Sequence, residues 1–397
     1  MKHIVIAGAG FSGVRLARQL RKLSGDVRVT LINNSEDFRY SPALYRAVTG
    51  FKVGTARLPL EWMLLDSSNT NLVIGHVEKL DKDKKTIHLA DGQAIQYDWV
   101  VMALGAVTTY FDIDGLHEHS YGVKTFEEIF ELKHHIHDDL VNKTVADQNF
   151  VVVGAGPTGV ELAGALGTYL KRIAKRHKIK HPHIQVYLVE AGPRILPQLS
   201  EKASKKVHRR LAEHLGIHVL TNTMVRSETA QTLKTSTGTI KTHDVIWTAG
   251  TSNNPLFKQH GDMFSFNNRG KINVNKHLQV ASDIYVCGDN AATKFSGLAA
   301  TAIRHANYIA KDIKARVRHK KRPMFRPKHP IQVVPAGNKW AVLQYRNFVL
   351  TGKIVGLVRR AADVVGYTDV LGILKAMTIW KETDRTEEYC NRCRLRK

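Results

Sequence analysis

Two glycine clusters carry the chemistry that reads most directly from this chain: Gly8-Ala9-Gly10-Phe11-Ser12-Gly13 and Gly154-Ala155-Gly156-Pro157-Thr158-Gly159. In such a cluster the first glycine permits a tight turn, the second lets the backbone approach a pyrophosphate, and the third lets a helix pack closely on a strand. The phosphates then lie at a helix N-terminus, where unpaired N–H groups and the helix dipole favour negative charge. A single GxGxxG arises often by chance. Each of these, however, follows a strand-like run, His3-Ile4-Val5-Ile6-Ala7 or Phe150-Val151-Val152-Val153, and opens a helical pattern. Two dinucleotides, one per site, imply electron transfer between them.

The elements around each loop repeat one plan. After the first loop come a helix, Gly13 to Leu23, and the strand Val27-Arg28-Val29-Thr30-Leu31-Ile32, ending at Asn33-Asn34. An acid is usual at that strand end, where it accepts hydrogen bonds from the adenosine ribose. Asn33 keeps an amide that pairs with hydroxyls, so adenosine binding is expected to survive the change. The second unit runs through a longer helix, Gly159 to about His177, and the strand Ile184 to Val189, and ends on the acid Glu190. A carboxylate there favours NADH over NADPH, a preference that Arg194 softens.

Two later apolar runs, Trp99 to Ala106 and Asp244 to Thr251, read as strands ending in small residues, Ala103 and Gly105 in one, Ala249 and Gly250 in the other. Buried strands with ordinary turns explain either alone; their matching places in the two units favour a close crossing over a cofactor. Ile284-Tyr285-Val286-Cys287 runs into Gly288-Asp289, and a helical pattern starts near Gly297. The Asp at that end suits a ribityl hydroxyl, and the helix N-terminus from Leu298 to Thr301 suits negative charge on a reduced flavin ring. A plain Gly-Asp turn is the alternative.

These segments together resemble the two-dinucleotide-binding flavoprotein disulfide reductase superfamily, and within it type II NADH dehydrogenases, single-chain NADH:quinone oxidoreductases. The resemblance rests on the first glycine loop, Tyr40-Ser41-Pro42-Ala43-Leu44-Tyr45 with Thr49-Gly50, Val153 to Gly164, and Val189-Glu190-Ala191-Gly192-Pro193-Arg194-Ile195-Leu196-Pro197, and it continues through Gly288-Asp289. It implies an α/β fold with two Rossmann-like domains. FAD is expected at Gly8, Gly10, Phe11, Ser12, Gly13, Asn33, Asn34, Ala103, Gly105, Gly288 and Asp289, and NADH at Gly154, Gly156, Pro157, Thr158, Gly159, Glu190, Ala249 and Gly250. Hydride would pass from NADH to the flavin and electrons onward to a lipid quinone.

The same resemblance gives Glu161 a catalytic place beside the nicotinamide and flavin, orienting the one or moving protons. An acid in a first helical turn also serves the dipole alone. On the acceptor side the family pattern Pro-Thr-Ala-Gln reads Ala300-Thr301-Ala302-Ile303 here. Thr301 remains as the second catalytic candidate, Ile303 stands where a glutamine faces the quinone, and His305 offers a donor or proton from a neighbouring turn.

The 397 residues carry 59 Lys and Arg against 35 Asp and Glu, a net charge of +24, and so attract something anionic: nucleic acid, an anionic membrane or a phosphate-rich ligand. Three cysteines exclude a disulfide framework. Cys390 and Cys393 form a lone CxxC, half a zinc site, and no metal is expected. The chain enters a strand at once, without a charged-then-apolar leader, and a cytoplasmic location follows, peripheral to the cell membrane. From Gly352 to Lys381, apolar residues at helical spacing with basic flanks read as amphipathic helices on an anionic membrane surface, or as helices packed on the flavin domain or on a second subunit. The expected limits are 1–112 and 253–325 for FAD, 113–252 for NADH and 326–397 for a membrane-association or dimerisation region that includes these helices. Two other readings stay open: a soluble reductase of a small electron-carrier protein, and a flavin-bearing nucleic-acid-binding protein, which no visible nucleic-acid motif favours.

Overall fold

Strands that read as continuous apolar runs lie where such runs belong, in parallel sheets covered on both faces. The computed structural model describes residues 1–65, 68–142, 147–179 and 183–387. Lys2–Ala7 pairs in parallel with Val27–Asn33 on one side and Trp99–Met102 on the other. Thr70–Ile74 and Ile284–Val286 extend the sheet in parallel at its two sides, and Gln279–Ala281 closes one edge antiparallel, making six strands. The chain winds away from Lys2–Ala7 in both directions, so a crevice opens at the carboxyl ends of the central strands, where doubly wound sheets bind ligands.

A second, four-stranded parallel sheet runs in the order His218–Leu220, His183–Val189, Asp147–Val153, Asp244–Trp247. It is inserted between Trp99–Met102 and Ile284–Val286 of the first. The two connections between the sheets, Ala106–Thr108 and Thr251–Asn253, pair antiparallel as a short ribbon. The strand expected from Asp244 to Thr251 ends at Trp247: Thr248 turns its hydroxyl back to donate to the Val153 and Gly154 carbonyls, and Gly250 adopts φ +74°.

Both glycine-loop helices start earlier than their third glycine. Phe11–Leu20 begins one residue after Gly10, and Pro157–Arg176 begins at a proline in the first helical position, where its missing N–H costs nothing.

The region 326–397 is not helical throughout. Gln332–Pro335, Ala341–Tyr345 and Phe348–Gly352 form a three-stranded antiparallel sheet, as their β-branched and aromatic residues favour, with Arg346 at φ +53° in the tight turn. Two helices follow, Lys353–Leu371 and Ile373–Glu382, broken at Gly372 with φ +90°. The longer one lies against Phe11–Leu20, where Arg15 and Arg18 donate to the carbonyls of Asp369 and Val370. Its inward face carries Val355, Asp363, Tyr367, Val370 and Leu371. Cys390 and Cys393 lie outside the described residues.

Candidate functional site

The first loop is built on steric necessity. Gly8 holds φ +105°, and a Cβ there would lie 2.3 Å from the Ala103 carbonyl oxygen; at Gly13 it would lie 1.9 Å from that of Gly8. Gly10 faces open space at the start of the helix. Asn33 accepts from the Ala9 N–H at 3.1 Å and donates to the Ser35 carbonyl at 2.8 Å. Its amide therefore braces the loop as well as the strand end. Asn34 is exposed beside it.

The second loop repeats this geometry with a carboxylate. Gly154 holds φ +96°, a Cβ there would lie 2.6 Å from the Ala249 nitrogen, and one at Gly159 would lie 1.8 Å from the Gly154 carbonyl oxygen. Glu190 accepts from the Ala155 and Gly192 N–H groups, both at 2.8 Å. Gly156 faces open space, and Pro157 and Thr158 form the first turn behind it. Glu190 thus occupies the place that Asn33 holds in the first unit, with a negative charge added.

Around the first loop the later segments converge. Asn290, fully buried, accepts from the Gly105 N–H at 2.9 Å and donates to its carbonyl at 2.7 Å, gripping the turn after Trp99–Met102. Ser12 donates to the Ala302 carbonyl at 3.1 Å, fastening the loop helix to Ala299–Val317. Phe11 stands edge-on to Phe38, with ring centroids 5.1 Å apart. Asp289 is half-buried beside Lys271, whose ammonium reaches its backbone carbonyl.

Whether FAD fits is answered by one orphaned hydroxyl and by cations whose charge burial disfavours. Thr301 is 4% exposed in the first turn of its helix, and its hydroxyl has no hydrogen-bond partner among the described residues. Burial lowers Lys271 from its usual range and brings Lys124 down to about 8, with Asp289 opposing the shift at both lysines. Desolvated cations and an orphaned hydroxyl suit a ligand bearing phosphates and polar ring edges. The residues present fit the group.

Between the two units lies a charged cluster. Asp363, 1% exposed at its side chain, pairs with Arg46 at 2.9 Å and Arg359 at 2.5 Å, and accepts from the Tyr40 hydroxyl at 3.3 Å. Tyr40 stacks on Tyr367 at 4.1 Å. Arg46 retains two buried nitrogens without an acceptor among the described residues. Glu161 comes to this cluster from the second loop helix, and burial lifts its carboxyl to about 7, raised further by Asp363 and opposed by Arg359 and Arg46. The net result is a carboxyl that both holds and releases a proton near neutrality.

Sequence patterns missed Arg46, Arg359, Asp363 and Asn290. Asp363 had a signal, an acid on the apolar stripe of a helix and four residues after Arg359; the others had none. His305 does not offer a proton to the acceptor side: it is fully buried and its pKa is lowered to about 4 by burial. Ile303 is half-buried on the same helix. Cys287 is buried and its thiol is pushed up to about 12, which leaves no thiolate for disulfide exchange at this strand end. At the amino-terminal end of Asp244–Trp247, His135, Asp139 and Asp244 bring ligand atoms within 4.8 Å of one another, with His135 Nε2 3.1 Å from an Asp244 carboxylate oxygen.

A family model described as pyridine nucleotide-disulphide oxidoreductase matches residues 2–306. The type II NADH:quinone oxidoreductase of Mycobacterium tuberculosis is 29% identical over 338 residues, covering 79% of this chain and 72% of the relative. That of Staphylococcus aureus is 25% identical over 334 residues, covering 79% and 82%. Among solved structures, NDH2 from Plasmodium falciparum in complex with NADH superposes with a TM-score of 0.85 at 17% identity, covering 96% of this chain and 98% of the other. The sulfide:quinone oxidoreductase of Aquifex aeolicus gives 0.77 at 20% identity, covering 98% and 100%. At these identities the two structures speak for the fold.

Proposed function

This chain belongs to the pyridine nucleotide-disulphide oxidoreductase family, and on that premise we propose that it is an FAD-dependent enzyme passing electrons from NADH to a quinone. The observation that carries the reading is the pair of cradles, each closed by a side chain at the second strand end onto the loop backbone, Asn33 onto Ala9 and Glu190 onto Ala155. Bound flavin supplies the capacity to take a hydride and hand its electrons onward. Gly8, Gly10, Ser12, Gly13, Asn33, Gly105, Asp289 and Thr301 would hold it, with Lys124 and Lys271 lending positive charge. Gly154, Gly156, Gly159 and Glu190 would hold NADH, and the small residues Ala249 and Gly250 would leave room for it. The proposed limits of the two units are 1–112 with 253–325 and 113–252, the ribbon of Ala106–Thr108 with Thr251–Asn253 lying near their borders.

Quinone reduction consumes two protons with two electrons, and Glu161 is suited to deliver one. Protonated below about 7, it loses the proton above that value. The rate of quinone reduction, measured with a short-chain quinone on the purified flavin-bearing protein, is expected to fall as pH rises through about 7. Glu161→Gln should lower it roughly 10- to 1000-fold and flatten that dependence. A purified protein that oxidises NADH with a one-electron dye but never with the quinone would overturn the acceptor assignment.

The membrane reading draws support from the two C-terminal helices. Ile354, Leu357, Val358, Val365, Ile373, Leu374 and Met377 are exposed, flanked by Lys353, Lys375 and Lys381. Among the described residues no helix is long and apolar enough to cross a membrane. Apolar side chains reaching between headgroups, with lysines at the anionic surface, give a peripheral association. The protein should float with anionic vesicles at low salt and Leu374→Glu with Leu357→Glu should abolish this; equal flotation of the double variant would rule the surface out. A second copy of the chain is the competing occupant, and it would appear as a dimer in sedimentation that the same substitutions dissociate.

A further inference from the structure

His305 has a task that the sequence does not suggest. It sits on Ala299–Val317, fully buried, under the edge of Phe325 with ring centroids 4.9 Å apart. Its Nδ1 lies 3.1 Å from the Gly288 nitrogen, and because a backbone N–H can only donate, Nδ1 is the acceptor. The ring proton therefore belongs on Nε2, which lies 3.1 Å from the Thr293 hydroxyl. Thr293 can then donate to Ser296 at 2.9 Å, and Ser296 donates to the Ala291 carbonyl at 2.5 Å. Every proton in this series points one way, from Gly288 through the imidazole to Ala291. The series ties both the start and the middle of the segment 288–298 to one side chain.

That segment contains Asp289 and leads to the helix turn bearing Thr301. Gly288 holds φ +66°, and a Cβ there would lie 3.0 Å from the Ser12 hydroxyl oxygen, while Ser12 in turn bonds the Ala302 carbonyl. Ser12 and His305 thus join the glycine loop and the Gly288–Asp289 turn to the helix N-terminus, while Lys271 holds the Asp289 carbonyl from another side. Of the two on the helix side, His305 is the one that accepts from the Gly288 N–H. An imidazolium at this position would present a donor to the Gly288 N–H and break the link, and its enclosure by Phe325 and the helix keeps the ring neutral.

We propose that His305 is a positioning residue for the flavin: as a neutral imidazole accepting from the Gly288 N–H, it fixes Asp289 and the helix N-terminus in the arrangement that receives FAD. The inference rests on FAD occupying the first site. Its test compares the full chain with His305→Leu, which removes the acceptor, and His305→Asn, whose amide oxygen falls where Nδ1 lies. After flavin removal and return, the leucine variant should bind FAD roughly 10- to 100-fold more weakly, the order expected when a buried N–H loses its acceptor. The asparagine variant should bind within about threefold of the parent, and KM for NADH should be unchanged in both. In the flavin-free proteins, amide exchange at Gly288 should be faster with leucine and protected with asparagine. Unchanged FAD affinity in His305→Leu, or equal loss in the leucine and asparagine variants with equal thermal melting, would overturn the proposal. If the parent itself takes up no FAD, the functional reading fails while Gly288 exchange still decides whether the tether exists.

Discussion

Gly154→Val is expected to abolish NADH-driven reduction while leaving the flavin bound. Gly154 sits at φ +96°, a region that a β-branched residue reaches only under strain. The added Cβ would lie 2.6 Å from the Ala249 nitrogen and 2.9 Å from its Cβ, and these belong to the chain crossing from Asp244–Trp247, with no flexible side chain to swing away. The loop must open, and opening it breaks the Glu190–Ala155 bond that shapes the N–H groups for the pyrophosphate. A loss of NADH-dependent reduction rate of about 100-fold or more is expected from misplacing the bound nucleotide by an ångström. The first cradle rests on other atoms, Gly8 against Ala103 and Asn33 on Ala9, so flavin content should match the parent. The measurement is flavin absorbance under NADH and then under dithionite. Bleaching by dithionite alone is the expected result, and bleaching by NADH at the parent rate would show that the second loop is not where NADH binds.

Asp363→Ala should cost about 3–5 kcal/mol of stability, the range for stranding buried charges. Asp363 is almost fully buried and takes up both Arg46 and Arg359, each only 13% exposed at the side chain. Its carboxyl is held below its ordinary value of 3.8 because the two guanidiniums outweigh the cost of burial. The stabilisation is therefore fully present above about 4 and is lost as pH falls through the lower folded-state value. Chemical denaturation at neutral pH reads the loss.

Asp363→Asn keeps the shape and removes the charge, and its second effect falls on Glu161. Asp363 raises the Glu161 pKa, whereas Arg359 and Arg46 lower it. Without the aspartate charge both cations act on Glu161 alone, its pKa drops below about 7, and the fall in quinone-reduction rate moves to lower pH. An unshifted profile in a folded Asp363→Asn protein would show that Glu161 does not set the pH dependence.

What was legible in the residues is what depends on neighbours in sequence. The glycine loops were, because turn, close approach and helix start are consecutive and each demands a glycine at its own place. Glu190 was, because a strand end follows the loop by a short and regular path. Asn33 was placed correctly at its strand end, yet its role in bracing Ala9 emerges only when the two ends lie side by side. The strands at 332–352 escaped notice because the apolar stripe from Gly352 onward was the stronger pattern, and the short runs before it pair only with one another.

The sequence by itself determined the class of ligand, two dinucleotides in two parallel-sheet units, since local backbone geometry is written in local residue types. Only the tertiary structure decided what surrounds them. The Asp363 cluster joins residues 317 positions apart, and His305 reaches back 17 positions to Gly288. Buried charges and a buried imidazole carry no sequence pattern, because what selects them is the partner across the fold and the exclusion of water, which exist only once the sheets and the C-terminal helix have packed.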